Sequence, residues 1–238
     1  MGRFVRAGAF AGAIGGLALA LFLRLVGEGT IGEAVSLERA RNGVHHEMFS
    51  RGTQQVGGML GAVVYGVFMG VVFAVILAAV RHRMASRDDF RRARSLAVVG
   101  FVTIALVPFL KYPANPPAVG SPDTIGRRTA LYLVILAWSI VTTWAAWRLW
   151  TWLATRPVSE GLRVAAATAL GFAMVALAFV LLPGSPDPVR APANLIWHFR
   201  IASIGGAAVY WFVVGTATGA ALQRTPQSRR VESASPVG

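Results

Sequence analysis

The chain has 238 residues, 55% of them hydrophobic and 14% charged, with a formal net charge of +13 and no cysteine. Soluble domains carry about 25% charged residues, so this surface cannot be solvated over its whole area, which argues against an ordinary soluble enzyme. The missing cysteines remove disulfide frameworks, thiolate metal sites, iron–sulfur clusters and cysteine nucleophiles. The basic residues gather at the ends of apolar runs, as in membrane proteins, so no nucleic-acid partner is expected despite a sequence pI near 11.7.

The first apolar run, residues 4–26, follows Arg3 and Arg6. It is longer than the 7–15 apolar residues of a signal peptide, so it reads as an uncleaved span in spite of Ala18-Leu19-Ala20. Arg6 stands where an N-myristoylation pattern needs Ser or Thr. Further runs cover 56–80, 96–110, 131–153, 164–182 and 201–222. Runs of about 20 residues match roughly 30 Å of hydrocarbon at 1.5 Å per residue. The expected fold is therefore all-α, a polytopic bundle of six transmembrane helices surrounded by lipid. Residues 1–222 form a single transmembrane domain, and the polar stretch 223–238 is a disordered cytoplasmic tail. The third run is the shortest and carries Pro108; without it there would be five spans.

With six spans, fourteen Lys and Arg residues fall on the side holding both termini and nine on the other, which places both termini in the cytoplasm. Segments 27–55, 111–128 and 183–200 then face outward. Small residues recur at four-residue spacing: Gly8, Gly12 and Gly16; Gly57 and Gly61; Gly66 and Gly70; Gly215 and Gly219. Such stripes let helix backbones approach closely, within one chain or in an oligomer. Trp138, Trp144, Trp147, Trp150 and Trp152 crowd the fourth run and read as interfacial anchors.

The outward segments hold the unusual chemistry. His45, His46 and Glu47 offer imidazole and carboxylate to a divalent ion, and Asp187 and His198 offer the same from the third segment. On a helix His45 and His46 would point about 100° apart, so at most one of the two would easily share a site with Glu47 or with a residue from another segment. The second segment carries Pro113, Pro116 and Pro117 after Pro108, which makes it rigid, a cap or an entrance. Asp123 is expected to pair with a nearby arginine. Arg24 and Glu28 stand one turn apart, as an interfacial pair or a gate, and with Lys111, Asn115, Asp123, Arg127 and Arg128 they mark a candidate path. Within the spans the polar candidates are Ser139, Thr142, Thr143, Thr168, Thr216 and Thr218. No Gly-x-x-x-x-Gly-Lys-Ser/Thr loop is present, nor a nucleophile–base pair, so no enzymatic activity and no cofactor are expected.

The string Phe109-Leu110-Lys111-Tyr112-Pro113-Ala114-Asn115-Pro116-Pro117-Ala118-Val119-Gly120, with Thr124-Ile125-Gly126-Arg127-Arg128-Thr129 after it, closely resembles the CbtA family of probable cobalt transporter subunits. The resemblance extends to Arg24-Leu25-Val26-Gly27-Glu28, Ser50-Arg51-Gly52 and Trp197-His198-Phe199-Arg200-Ile201-Ala202-Ser203. Where the family often has an arginine before the phenylalanine near the last span, this chain has His198. The resemblance implies a multi-pass protein of the bacterial cytoplasmic membrane that takes part in Co²⁺ uptake for cobalamin metabolism. It also implies a small single-span partner of the CbtB type with a histidine-rich end. The alternative is a scaffold subunit that does not itself transport.

Overall fold

The computed structural model describes residues 1–42, 50–116, 119–187 and 191–223, the side chains of 38–42 excepted. His45, His46, Glu47 and the 224–238 tail lie outside the described residues. The elements are α1 (Gly2–Phe22), a π-helical turn (Leu23–Gly27), α2 (Glu28–Asn42), α3 (Arg51–Val80), α4 (Asp89–Gly100), a second π segment (Phe101–Leu106), α5 (Val107–Lys111), α6 (Ile125–Leu153), α7 (Glu160–Leu181) and α8 (Ala193–Gln223). No strand occurs among the described residues. Six helical stretches are long and apolar enough to cross a membrane: Gly2–Leu37, Arg51–Arg83, Asp89–Lys111, Pro122–Leu153, Glu160–Leu181 and Ala193–Gln223. The protein is a multi-pass membrane protein, and large apolar side chains such as Phe172 (72% exposed) and Val180 (81%) stand where lipid rather than water must cover them.

The third stretch keeps its place because the helix widens before Pro108. A proline lacks an N–H and its ring collides with the carbonyl four residues back, which a regular α-turn cannot absorb. In the preceding segment the Val107 amide donates to Val102 O, five residues back, in the π pattern. Elsewhere the ends are capped by side chains: Ser50 Oγ accepts the Thr53 amide at the start of α3, and Ser159 Oγ accepts the Leu162 amide at the start of α7.

The described contacts group into two compact units, Met1–Phe22, Glu47–Val98 and Ala208–Gly238 in one, Leu23–His46 and Val99–Ala207 in the other. In the first unit α1 lies backbone to backbone on α3. A β-carbon on Gly8 would strike the Gly70 carbonyl, one on Gly12 the Gly66 carbonyl and one on Gly16 the Ala62 carbonyl. Only glycine permits this approach, which replaces the missing hydrophobic force between helices in lipid with dispersion contacts. Tyr210 of α8 is 3% exposed and donates its hydroxyl to Gly66 O at 3.0 Å. Gly57 and Gly61 have nothing within 4 Å of an added β-carbon, so the glycines of α3 that pack against α1 are Gly66 and Gly70. At the polar end of the unit, Arg3 meets Asp89 at 3.2 Å, Arg92 meets Asp89 at 3.1 Å, and Gln223 donates to Asp88 at 2.8 Å.

In the second unit Val107, Ile135 and Ala178 form the core, with Tyr112, Trp138, Val175 and Leu182 packed against it. Trp138 departs from the anchoring role expected of the tryptophan cluster, because its indole N–H donates to Met174 O at 2.8 Å and ties α6 to α7. Thr103 of the π segment and Thr143 of α6 share a hydrogen bond at 2.7 Å. Ser139 and Thr142, beside Thr143 in sequence on α6, are also buried. Of the other polar span residues, Thr168 is exposed, Thr216 bonds back to Phe212 O, and Thr218 is fully buried in the first unit.

Candidate functional site

Within the second unit, residues 111–116, 119–128 and 183–187 and the first turns of α8 come together. Lys111, expected on a path, sits at the end of α7, where its ammonium donates to Phe179 O (3.1 Å) and Leu182 O (2.7 Å). The last carbonyls of a helix lack amide partners and carry its negative pole, so a cation there is favoured. The Tyr112 hydroxyl donates to Pro183 O at 2.8 Å and fastens the same junction.

The next layer is built around Asp187, which is 7% exposed. Its Oδ1 accepts the Ser121 amide at 3.3 Å, and Arg128 Nε lies 3.1 Å from its Oδ2. The Thr124 hydroxyl has one proton and three acceptors in reach: Asp187 Oδ1 at 2.7 Å, Asp187 Oδ2 at 2.8 Å and Ser121 O at 2.8 Å. The Thr124 hydroxyl, the Ser121 amide and the Arg128 charge hold the Asp187 carboxyl below its ordinary range, against the opposing effect of burial. Gly120 turns the chain with φ 114°, a left-handed conformation suited to glycine, and a β-carbon there would collide with the Arg128 guanidinium.

In this loop cluster the aspartate that pairs with an arginine is thus Asp187. The expected Asp123 is exposed and, among the described residues, meets Ser121, whose hydroxyl caps the Asp123 amide at 3.3 Å. Arg127 is exposed on α6. Arg24 is exposed too and lies within the π turn Leu23–Gly27, which leads directly into α2 at Glu28. His198 is exposed on α8. Among the described residues no three of His, Asp and Glu converge as a metal would need. Asp187 has both carboxylate oxygens engaged by the loop, so any cation it bound would have to displace Arg128.

Sequence reasoning missed the role of Arg200. Its Nε donates to Ala114 O at 3.3 Å and its Nη2 to Asn115 Oδ1 at 3.0 Å, so Asn115 positions this guanidinium. The one available signal was an arginine in an otherwise apolar stretch of the last helix with no acidic residue within a turn. Beside it opens a cleft of about 420 Å³ whose lining includes Tyr112, Asn115, Ile125, Arg128, Tyr132 and Arg200.

A family model described as "Probable cobalt transporter subunit (CbtA)" matches residues 1–223. No curated protein and no solved structure shows a significant match.

Proposed function

The chain belongs to the CbtA family of probable cobalt transporter subunits, and from that premise we propose that it is the membrane-embedded subunit through which Co²⁺ enters the cell. The observation that carries this reading is a family match over residues 1–223, the whole stretch that holds the six spanning helices. The protein is not an enzyme. It resides in the bacterial cytoplasmic membrane with both termini inside, following the excess of arginine on that side, and its cargo serves cobalamin metabolism.

The imidazoles of His45 or His46 with the Glu47 carboxylate attract and partly dehydrate the ion at the outer face, and His198 adds a further imidazole. Asp187 joins this set only when it releases Arg128. Arg24, Glu28, Lys111, Asn115, Asp123, Arg127 and Arg128 line or gate the route. The membrane potential favours inward movement of a divalent cation by about 4.6 kcal/mol per 100 mV, twice the value for a single charge, so uptake needs no ATP. The family description as a subunit implies partners, and a small single-span CbtB-type chain with histidines fits the role of presenting the metal.

The second reading, a scaffold subunit that does not transport, is favoured by one observation: Asp187 is already neutralised by Arg128. One experiment separates the two. Radiolabelled Co²⁺ accumulation is measured in cells lacking endogenous cobalt uptake, with the chain alone, with its small partner, and with His45, His46 and Glu47 all replaced by alanine. Uptake that needs this chain and falls at least tenfold in the triple variant is the permease result. Uptake unchanged in the triple variant, or absent despite verified insertion and a supplied partner, is the scaffold result.

A further inference from the structure

We infer that the cleft beside Arg200 binds the phosphate headgroup of an anionic membrane phospholipid. Two features of the second unit carry this inference, and neither depends on what the protein transports.

The first is an uncompensated charge. Arg128 and Arg200 both line the cleft, but Arg128 is paired with Asp187, whereas no carboxylate among the described residues pairs with Arg200. A guanidinium has five N–H donors in a planar fork. In Arg200 the protein engages Nε with Ala114 O and Nη2 with Asn115 Oδ1. These two bonds fix the plane of the group and leave the remaining donors without an acceptor among the described residues. A fixed, planar set of N–H donors with net positive charge matches phosphate oxygens in geometry and sign.

The second is the wall. Ile125, Thr129 and Tyr132 line the cleft and follow one another at i, i+4 and i+7 spacing, along one face of α6. Ile125 is 55% and Tyr132 41% exposed. This apolar strip starts at the first residue of α6 and runs along a stretch, Pro122–Leu153, that is apolar enough to cross a membrane. A soluble anion would use the guanidinium and leave the strip bare. A phospholipid uses both, with its phosphate on Arg200 and its acyl chain along Ile125 and Tyr132. The cleft volume of about 420 Å³ falls within the roughly 300–1,000 Å³ of small-molecule sites.

The test uses the full chain purified in a maltoside detergent and titrated with phosphatidylglycerol, phosphatidylcholine or soluble glycerol phosphate, read by native mass spectrometry and by thermal shift. The expected result is one retained phosphatidylglycerol with a raised Tm. Phosphatidylcholine, whose ammonium offsets its phosphate, binds several-fold more weakly, and glycerol phosphate at equal concentration neither binds nor competes. Arg200→Gln weakens phosphatidylglycerol at least tenfold. Because that change also removes the bonds to Ala114 and Asn115, Thr129→Glu serves as the second variant. It leaves Arg200 in place, puts a carboxylate into the cleft, and produces the same loss. Equal retention of both lipids, competition by glycerol phosphate, or phosphatidylglycerol binding that survives Thr129→Glu overturns the proposal.

Discussion

Arg128 Nε lies 3.1 Å from Asp187 Oδ2, which ties the first turn of α6 to the segment that follows α7. Removing the acid leaves the Arg128 guanidinium, the Thr124 hydroxyl and the Ser121 amide around a neutral or empty position, and a group deprived of its partner costs more than the pair contributes. Asp187→Asn should lower Tm by a few degrees, and Asp187→Ala should lower it further. Intrinsic tryptophan fluorescence on heating in detergent checks the order wild type, Asn, Ala.

The same carboxyl sets a pH dependence. Its folded pKa lies below that of the unfolded chain, so its stabilisation is complete above about pH 4, the ordinary aspartate range, and is lost as pH falls through the folded value. In wild type this contribution is constant from pH 8 to 5 and declines below about 4. Tm curves of wild type and Asp187→Asn should therefore run parallel at neutral pH and converge in acid. Curves that stay parallel to the lowest pH would remove the Asp187 interaction as the cause.

The two glycine pairs of α3 predict opposite responses to added bulk. At Gly12 or Gly66 a larger side chain forces α1 and α3 apart, so Gly12→Leu or Gly66→Val should cost at least the ~1–3 kcal/mol of an overpacked core. Gly57→Ala and Gly61→Ala meet open space and should be neutral or stabilising by up to ~1 kcal/mol, the helix-propensity difference. Denaturation of the four variants in mixed micelles measures this contrast.

Thr103 and Thr143 hydrogen-bond at 2.7 Å between the π segment and α6. Hydrogen bonds between membrane helices average about 0.6 kcal/mol and reach about 1.7. A double-mutant cycle with Thr103→Val and Thr143→Val should give a coupling energy in that range. Additive single effects would mean that the hydroxyls act independently.

The legible part of this protein follows from the chemistry of lipid. Backbone groups inside hydrocarbon must be satisfied within their own helix, so length and apolarity mark each span locally, and the six expected runs reappear within the six helical stretches. The doubtful third run survives because a π turn accommodates Pro108, a local solution that apolarity alone does not reveal. The string around Lys111 to Gly120 likewise pointed to the family that the match over residues 1–223 establishes.

The site was less legible because it is made of pairs that are distant along the chain. Asp123 and Asp187 are both acids in loops near arginines, and nothing local says that Thr124 and Arg128 turn to Asp187. Glycines at equal spacing on α3 divide into a packed pair and an open pair only once α1 lies against one face of the helix. Arg200 looked like one more basic residue at a helix end until Ala114 and Asn115 were seen to hold it. Composition and spacing determined the class and the number of spans, and a specific residue string pointed to the family, since those properties reside in contiguous segments. Tertiary structure alone decided which charges are neutralised and which remain to meet a ligand, since electrostatic pairing depends on distances through space.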